Sequence, residues 1–308
     1  MRDKPYASAR EFRVSANAHM KRVAKDSGRP TQEINREFVL QRFLARVFHK
    51  AGAPWVLKGG TGLLVRLPRA RYSDDVDLLY PADNVDLLAP LAELRNAMAQ
   101  PCGNDFFRFD LGRVDERAAV DGEKVVATVR VTASIGSTEY QRFSIDLSVK
   151  KRRLTSVDRC QPKPIIAIPG VPALPEFSLY SLADQIADKV CAMYEIHRGG
   201  MPSTRYHDLV DLVLIVTSGA GIEAATTAAA LHAEAQHRDL ALPARLNSPG
   251  RQWPAGYRNE AVKARLPTEL RDLDQALGAV GACLDPLLSG AIERGTWDLA
   301  SQRWLTSA

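Results

Sequence analysis

The 308-residue sequence lacks the features that mark secreted, disulfide-stabilised and membrane proteins. Its four cysteines lie far apart without a C-x-x-C pair, so they indicate neither a zinc site nor a disulfide framework. No apolar run approaches the roughly 20 residues that a membrane helix needs. The charged N-terminus has no apolar stretch of the kind found in secretory signals. We therefore expect a cytoplasmic protein with reduced thiols and no membrane contact.

Two common glycine-rich nucleotide motifs are also missing. The chain has no G-x-x-x-x-G-K-[ST] phosphate loop, and Gly60-x-Gly62-x-x-Val65 lacks the third glycine of a dinucleotide fingerprint. The histidines between residues 197 and 237 have no metal-ligand spacing to carboxylates. The composition, 45% hydrophobic and 25% charged, is typical of a globular protein. The formal charge of +5 permits a polyanionic partner without requiring one.

Hydrophobic periodicity predicts a mixed sheet preceded by helices in the first half of the chain. Residues 31–51 have helical spacing, with Thr31 as a candidate N-cap. The short runs "PWVLK" and "DDVDLLY" resemble strands, and "TGLLVRL" between them resembles a short helix. Further strand candidates are residues 105–112, 124–135 and 142–149.

The second half of the chain differs in composition and in predicted secondary structure. The basic run "KKRR" and the segment "QPKPIIAIPGVPALPEF" follow residue 149, and such prolines fit neither a helix nor a central strand. Helical candidates then cover residues 181–197, 205–218, 222–237 and 267–288, and residues 243–260 are predicted to form a loop. We predict an α/β (α+β) fold with N-terminal helices and a mixed-sheet core in residues 1–155. A mainly helical C-terminal domain is predicted for residues 156–308.

Two carboxylates in "DDVDLLY" are predicted to share one face of a strand. Residues two apart point the same way, so Asp75 and Asp77 project together while Val76 projects into the opposite layer. Adjacent carboxylates repel each other unless a cation lies between them. Mg²⁺ prefers such oxygen ligands and commonly bridges carboxylates to substrate phosphates. The pair therefore predicts a Mg²⁺ site.

The turn "GGTG" ahead of these carboxylates is typical of a phosphate-binding segment. Residues without a Cβ let the backbone approach a phosphate closely and present N–H groups at a helix start. A third carboxylate, Asp146, stands on the polar face of "QRFSIDLSVK". Three carboxylates from two strands fit two-metal phosphoryl or nucleotidyl transfer, with Asp146 as second-metal ligand or as base.

In this order, the motifs resemble a known family. The G-G-[ST] turn and R-x-[ST]-x-D-x-D resemble the nucleotidyltransferase superfamily related to DNA polymerase beta. More narrowly, four segments in residues 38–217 resemble the motifs of AbiEii toxin nucleotidyltransferases, the toxin half of type IV toxin–antitoxin and abortive-infection systems. These segments are "LKGGTGLLVR…RYSDDVDL", "FSIDLSV", "LADQIADKVCAMYE" and "RYHDLVDLVLI".

The resemblance implies a role for each matching residue. Nucleotide binding is assigned to Lys58, Gly59, Gly60, Thr61, Arg71, Ser73 and Asp208. Metal binding is assigned to Asp75, Asp77 and Asp146, and catalysis to these three carboxylates with Lys189 and Asp211. His207 stands where the family motif more often has lysine. From the residues alone, Lys189 could reach a phosphate or lie at a helix border, and Asp208 with Asp211 could contact nucleotide or form a salt-bridge network.

The resemblance also implies an activity. The expected reaction transfers a nucleoside monophosphate from an NTP to RNA, with the 3′ end of tRNA as the expected acceptor, and it would block translation and growth. A cognate antitoxin is the expected partner. Two alternatives stay open from the residues: nucleotidyl transfer to a protein or small-molecule hydroxyl, and a non-catalytic nucleotide- or RNA-binding module.

Overall fold

The computed structural model describes residues 5–67, 75–82, 86–118, 124–150, 156–197 and 199–305. The chain forms two compact units. The first lies within Met1–Arg66 and Tyr72–Leu179, and the second lies within Leu67–Arg71 and Tyr180–Ala308.

The first unit combines helices with a sheet. Its helices are α1 (Ala9–Ser27), α2 (Thr31–Val47), α3 (Gly59–Arg66) and α4 (Leu88–Ala99). Its strands are β1 (Val56–Lys58), β2 (Val76–Pro81), β3 (Phe107–Ala118), β4 (Lys124–Ile135), β5 (Thr138–Lys150), β6 (Val157–Cys160) and β7 (Phe177–Tyr180).

In the described part of the chain these strands form one seven-stranded sheet, in the order β3-β4-β5-β2-β1-β7-β6. The pairs β2–β5 and β1–β7 are parallel, whereas β1–β2, β3–β4 and β4–β5 are antiparallel. This arrangement confirms the predicted α/β fold with a mixed sheet.

One face of the sheet forms the core of this unit, and the other is polar. Val129 on β4 and Ile145 on β5 are both 0% exposed, and they pack in one cluster with Phe12 of α1 and Phe43 of α2. Strand residues alternate between faces, so Thr128, Arg130 and Asp146 point away from this core. The helices therefore cover the apolar face, and the polar face carries the predicted carboxylates.

A buried ion cluster joins α2 to the start of β3. Asp105 accepts hydrogen bonds from Arg42 Nε at 2.9 Å and from Arg46 at 2.8 and 2.9 Å. Arg46 also donates to the carbonyl of Phe107 at 3.0 Å. Buried charges are tolerated when they are paired and hydrogen-bonded in this way. The cluster thereby ties α2 to the edge strand of the sheet.

The predicted boundary at residue 155 differs from the observed division into units. Strands β6 and β7 lie beyond that residue, yet both belong to the sheet, and β7 pairs with β1 through Leu179 and Leu57. The proline-rich segment therefore connects two strands of one sheet.

The second unit is mainly helical. Its helices are α5 (Leu182–Tyr194), α6 (Tyr206–Val216), α7 (Ala224–His237), α8 (Trp253–Lys263) and α9 (Leu273–Leu288), with a 3-10 helix at Thr268–Arg271. Two short hairpins are formed by β8 (Ile196–His197) with β9 (Met201–Pro202) and by β10 (Thr296–Asp298) with β11 (Arg303–Leu305). Among the described residues, no helix is both long and apolar enough to cross a membrane.

Helix α8 corrects one prediction. It lies partly in residues 243–260, which were predicted to form a loop because of their prolines and glycines. Pro254 occupies the first turn of α8, where its missing N–H costs no helical hydrogen bond. Trp253 and Tyr257 are buried on the inner face of this helix. Tertiary packing of these aromatic side chains favours the helix, although prolines and glycines nearby disfavour it.

Candidate active site

A row of polar side chains crosses the polar face of the sheet. Asp77 on β2 is in register with Asp146 on the parallel strand β5 and with Lys58 on the antiparallel strand β1. Thr128 on β4 is in register with Asp146. Residues in register point to the same face, so Lys58, Asp77, Asp146 and Thr128 stand side by side. The structure thus brings together two of the three predicted carboxylates with one predicted nucleotide-binding residue.

Asp77 also lies directly against the glycine turn. Gly59 begins α3 with a φ of +60°, and a Cβ placed on it would lie 1.8 Å from Asp77 Oδ2 and 2.6 Å from Asp77 Cγ. Only glycine fits this position, since a side chain would both clash and favour a different backbone conformation. Asp77 and the start of the predicted phosphate-binding helix are therefore in contact.

Thr61 holds the helix start to the strand that carries the carboxylates. Its hydroxyl donates a 2.6 Å hydrogen bond to the carbonyl of Asp75, and its side chain is buried. Asp75 precedes β2 and is exposed, while Gly60 is buried within α3. Thr61 therefore positions Asp75, and its predicted contact with nucleotide would be made by its backbone N–H.

Thr128 is a site residue that the sequence did not identify. Its hydroxyl donates a 2.8 Å hydrogen bond to Asp146 Oδ1, which fixes the orientation of that carboxylate. The only signal was the polar position of Thr128 in the alternating strand "KVVATVRVTASI". Its proximity to Asp146 depends on strand register, which the alternation does not determine.

The arrangement fits a divalent cation held by two carboxylates. Among the residues that the structure describes, no group of three or more His, Cys, Asp or Glu side chains is arranged as a metal site. However, Mg²⁺ is commonly bound by one or two carboxylates, with substrate phosphates and water as the remaining ligands. Asp77 and Asp146 are in register on adjacent strands, and neighbouring strands of a sheet lie about 4.8 Å apart. Like charges directly opposite each other on adjacent strands are unfavourable unless a cation is shared.

Gly59→Ala is expected to lower nucleotidyl transfer by about 100-fold or more, because displacement of a reacting group by ~1 Å can have that effect. The added Cβ would collide with the Asp77 carboxylate. Gly28→Ala is the matched control, since Gly28 has a φ of +66° but no atom within 4 Å of the added Cβ. Both variants carry the same type of backbone strain, and only Gly59→Ala moves Asp77. Equal transfer rates in the two variants would contradict the contact.

The predicted helical residues form a separate cluster inside the second unit. Lys189 Nζ on α5 lies 2.6 Å from Asp211 Oδ2 and 3.1 Å from Asp208 Oδ1, both on α6. Lys189 is only 6% exposed, and both aspartates are buried. Arg205, which is half exposed, donates a 2.6 Å hydrogen bond to Asp208 Oδ2. The structure therefore joins Lys189, Asp208 and Asp211 in a buried ion network, and their roles in catalysis and nucleotide binding stay predictions.

The charge of Asp208 depends on this network. Burial alone would raise the pKa of Asp208, but the nearby charges of Lys189, Arg205 and His207 hold the pKa below its ordinary value of 3.8. The ionised carboxylate is therefore favoured in the folded state. His207, at the position where lysine was expected, has its Nε2 3.7 Å from Asp208 Oδ1 and contributes to this effect.

Asp208→Asn is expected to reduce stability near pH 7 but to have a smaller effect in acid. The folded-state pKa of Asp208 is lowered, so its contribution to stability is fully present above its unfolded pKa and is lost as the pH falls through the folded value. Chemical unfolding of wild type and variant between pH 7 and pH 3 measures the difference. Asp274→Asn, at an exposed position on α9, is the control. If the free energies of unfolding of wild type and Asp208→Asn differed by the same amount at every pH in this range, the lowered pKa of Asp208 would be contradicted.

Arg71 and Ser73, which the sequence assigns to nucleotide binding, lie outside the described residues. Their predicted roles therefore stay predictions.

The mixed sheet, with paired carboxylates beside a glycine-started helix, has the arrangement expected of a nucleotidyltransferase. The family model described as "Nucleotidyl transferase AbiEii toxin, Type IV TA system" matches residues 42–279, and the chain belongs to this family. The predicted resemblance is thereby confirmed.

Two solved structures illustrate the similarity. MenT4, a nucleotidyltransferase toxin from Mycobacterium tuberculosis H37Rv, is 18% identical, with 92% of this chain and 99% of that chain covered and a TM-score of 0.48. JHP933 from Helicobacter pylori is 18% identical, with 89% of this chain and 95% of that chain covered and a TM-score of 0.46. The search of the curated proteins gave no match.

Proposed function

We propose that this chain is a Mg²⁺-dependent toxin that transfers a nucleoside monophosphate from an NTP to an RNA acceptor, the 3′ end of tRNA, in the cytoplasm. The observation that carries the proposal is the register of Asp77 with Asp146 next to Gly59. Membership of the AbiEii family supports nucleotidyl transfer as the reaction class.

In this proposal the carboxylates at the two strands have different tasks: those at β2 face the NTP, and that on β5 faces the acceptor. Gly59 and Gly60, with the N–H groups at the start of α3, bind phosphate oxygens of the NTP. Asp75 and Asp77 face these phosphates, and Asp146 faces the acceptor. Mg²⁺, when bound by the carboxylates, offsets the negative charge on the triphosphate and on the departing pyrophosphate.

The bond changes follow from this placement. The acceptor hydroxyl oxygen attacks the α-phosphorus, the bond to the bridging oxygen of pyrophosphate breaks, and the acceptor proton is released. Asp146, as the proposed general base, accepts that proton, and Thr128 keeps the Asp146 carboxylate oriented through its hydrogen bond. By the family resemblance, Lys189 and Asp211 are further residues with proposed catalytic roles.

A cognate antitoxin is the proposed partner, because the family is one of type IV toxin–antitoxin systems. Modification of the tRNA 3′ end would prevent aminoacylation and thereby stop translation. Growth arrest on expression, relieved by a carboxylate variant such as Asp77→Asn, is the cellular result that this proposal requires.

A transfer assay with separated acceptors tests the proposal. Purified protein is incubated with each α-labelled NTP, Mg²⁺ and either total tRNA or a protein acceptor. Label on tRNA that depends on Mg²⁺ and on Asp77 supports the proposal. Label confined to protein would assign a different acceptor, and nucleotide binding without any transfer would favour a non-catalytic binding module.

A further inference from the structure

The polar face of the sheet continues past the carboxylates along β4 and β5. Arg130 on β4 is in register with Ser144 on β5, and Ser144 precedes Asp146 by two residues. Arg130 is therefore one step, about 7 Å, along the strands from the Thr128–Asp146 pair. It is exposed, whereas its neighbours Val129 and Val131 are buried in the core. The guanidinium group thus belongs to the same open face as Asp146.

Arg130 differs from three neighbouring arginines in its electrostatic surroundings. These arginines of β3 and β5 are neutralised by carboxylates in the pairs Arg108–Asp110, Arg113–Asp115 and Arg142–Glu139, whereas Arg117, near the end of β3, has no such pair among the described residues. Within the described ranges, Arg130 has no carboxylate at ion-pair distance. An exposed guanidinium without a counter-ion is available to an anionic ligand, and its planar donors match phosphate oxygens.

The strand order separates Arg130 from the glycine turn. Reading across the sheet, β1 leads into the turn, β2 carries Asp77, β5 carries Asp146, and β4 carries Arg130. Asp146 therefore lies between the glycine turn, which is the proposed binding site of the NTP phosphates, and Arg130. A ligand that approaches Asp146 from the β4 side reaches Arg130 without displacing the NTP phosphates.

We propose that Arg130 binds a backbone phosphate of the RNA acceptor and so guides the acceptor hydroxyl towards Asp146. This inference rests on the proposed function, because it assigns Asp146 to the acceptor side of the reaction. Arg130 is a substrate-binding residue here and takes no part in proton transfer.

Comparison of Arg130→Gln with Arg22→Gln tests the inference. Arg22 is exposed on α1, a helix that covers the apolar face of the sheet, so both variants lose one positive charge from a surface position. The probe is a short fluorescent single-stranded RNA, titrated by anisotropy at several salt concentrations. We expect Arg130→Gln to bind it about tenfold more weakly, and the slope of log affinity against log salt to fall by about 0.7. Arg22→Gln should match wild type.

Transfer kinetics show whether the phosphate group that Arg130 binds belongs to the RNA acceptor or to the NTP. The inference requires a higher KM for RNA with an unchanged KM for NTP in Arg130→Gln. A higher KM for NTP with unchanged RNA affinity would overturn it, as would RNA affinity and salt dependence equal to those of Arg22→Gln. Wild-type protein that binds no RNA would also overturn it. Arg130-dependent RNA binding without transfer to RNA would sustain the inference while the proposed reaction fails.

Discussion

Asp77→Asn is expected to lower the transfer rate by about 1000-fold or more. This is the largest catalytic effect that we expect from a single substitution. The amide keeps the size of the side chain but removes a charged ligand oxygen from the paired site. Charge stabilisation by a bound metal amounts to several kcal/mol, and a loss of about 4 kcal/mol corresponds to three decades in rate. Initial rates of label transfer from NTP at saturating Mg²⁺ measure the effect.

Asp110→Asn is the matched control for this variant. Asp110 is exposed on β3, on the same face of the sheet, and its carboxylate pairs with Arg108. The same loss of charge occurs there, outside the row that contains Asp77. We expect transfer within about twofold of wild type, since isolated surface ion pairs contribute little. If Asp77→Asn transferred label as fast as Asp110→Asn, the metal assignment would be wrong.

The face of the sheet on which each carboxylate lies could be predicted from sequence, because the alternation of side chains along a strand is a local property. Asp77 and Asp146 each stand between apolar neighbours in short alternating runs, and the structure places both on the polar face as expected. Their register could not be predicted in the same way. It depends on the pairing of strands that are far apart in sequence, and a shift by one residue would place the side chains on opposite faces.

The limits of local patterns are also visible at α8 and at the proline-rich segment. Pro254 indicated a loop, but packing of Trp253 and Tyr257 favours a helix in which the proline occupies the first turn. The prolines after β6 suggested a domain boundary, although the chain returns to the same sheet as β7. In both places tertiary contacts outweigh the local preference.

The burial of Lys189 is a further property that its own helix could not specify. Its neighbours Ile186 and Val190 are buried, so the spacing placed Lys189 at or near the core. Whether it would reach a phosphate or remain inside depended on α6, which supplies Asp208 and Asp211. From the sequence, Lys189 could reach a phosphate or lie at a helix border, whereas the observed network indicates a structural contribution.

Lys189→Met is expected to destabilise the second unit by about 3–5 kcal/mol, because removal of one partner of a buried ion network is strongly destabilising. Methionine retains most of the volume of lysine, so the effect of a cavity is small. After the substitution, Asp211 loses the 2.6 Å contact to Lys189 Nζ, while Asp208 keeps Arg205. Three of the four tryptophans, Trp253, Trp297 and Trp304, lie in the second unit. Denaturant unfolding followed by tryptophan fluorescence therefore reports mainly on this unit.

Two further variants separate structure from chemistry in this network. Lys263→Met removes an exposed lysine of α8 that pairs with Glu260, and we expect a change within about 0.5 kcal/mol. Lys189→Met combined with Asp211→Leu removes both partners, and such replacements are often close to neutral, so we expect much of the stability to return. If this stable double variant transfers label normally, the network is purely structural, and if it is inactive, Lys189 or Asp211 also has a chemical role. Wild-type stability of Lys189→Met would contradict the buried ion network itself.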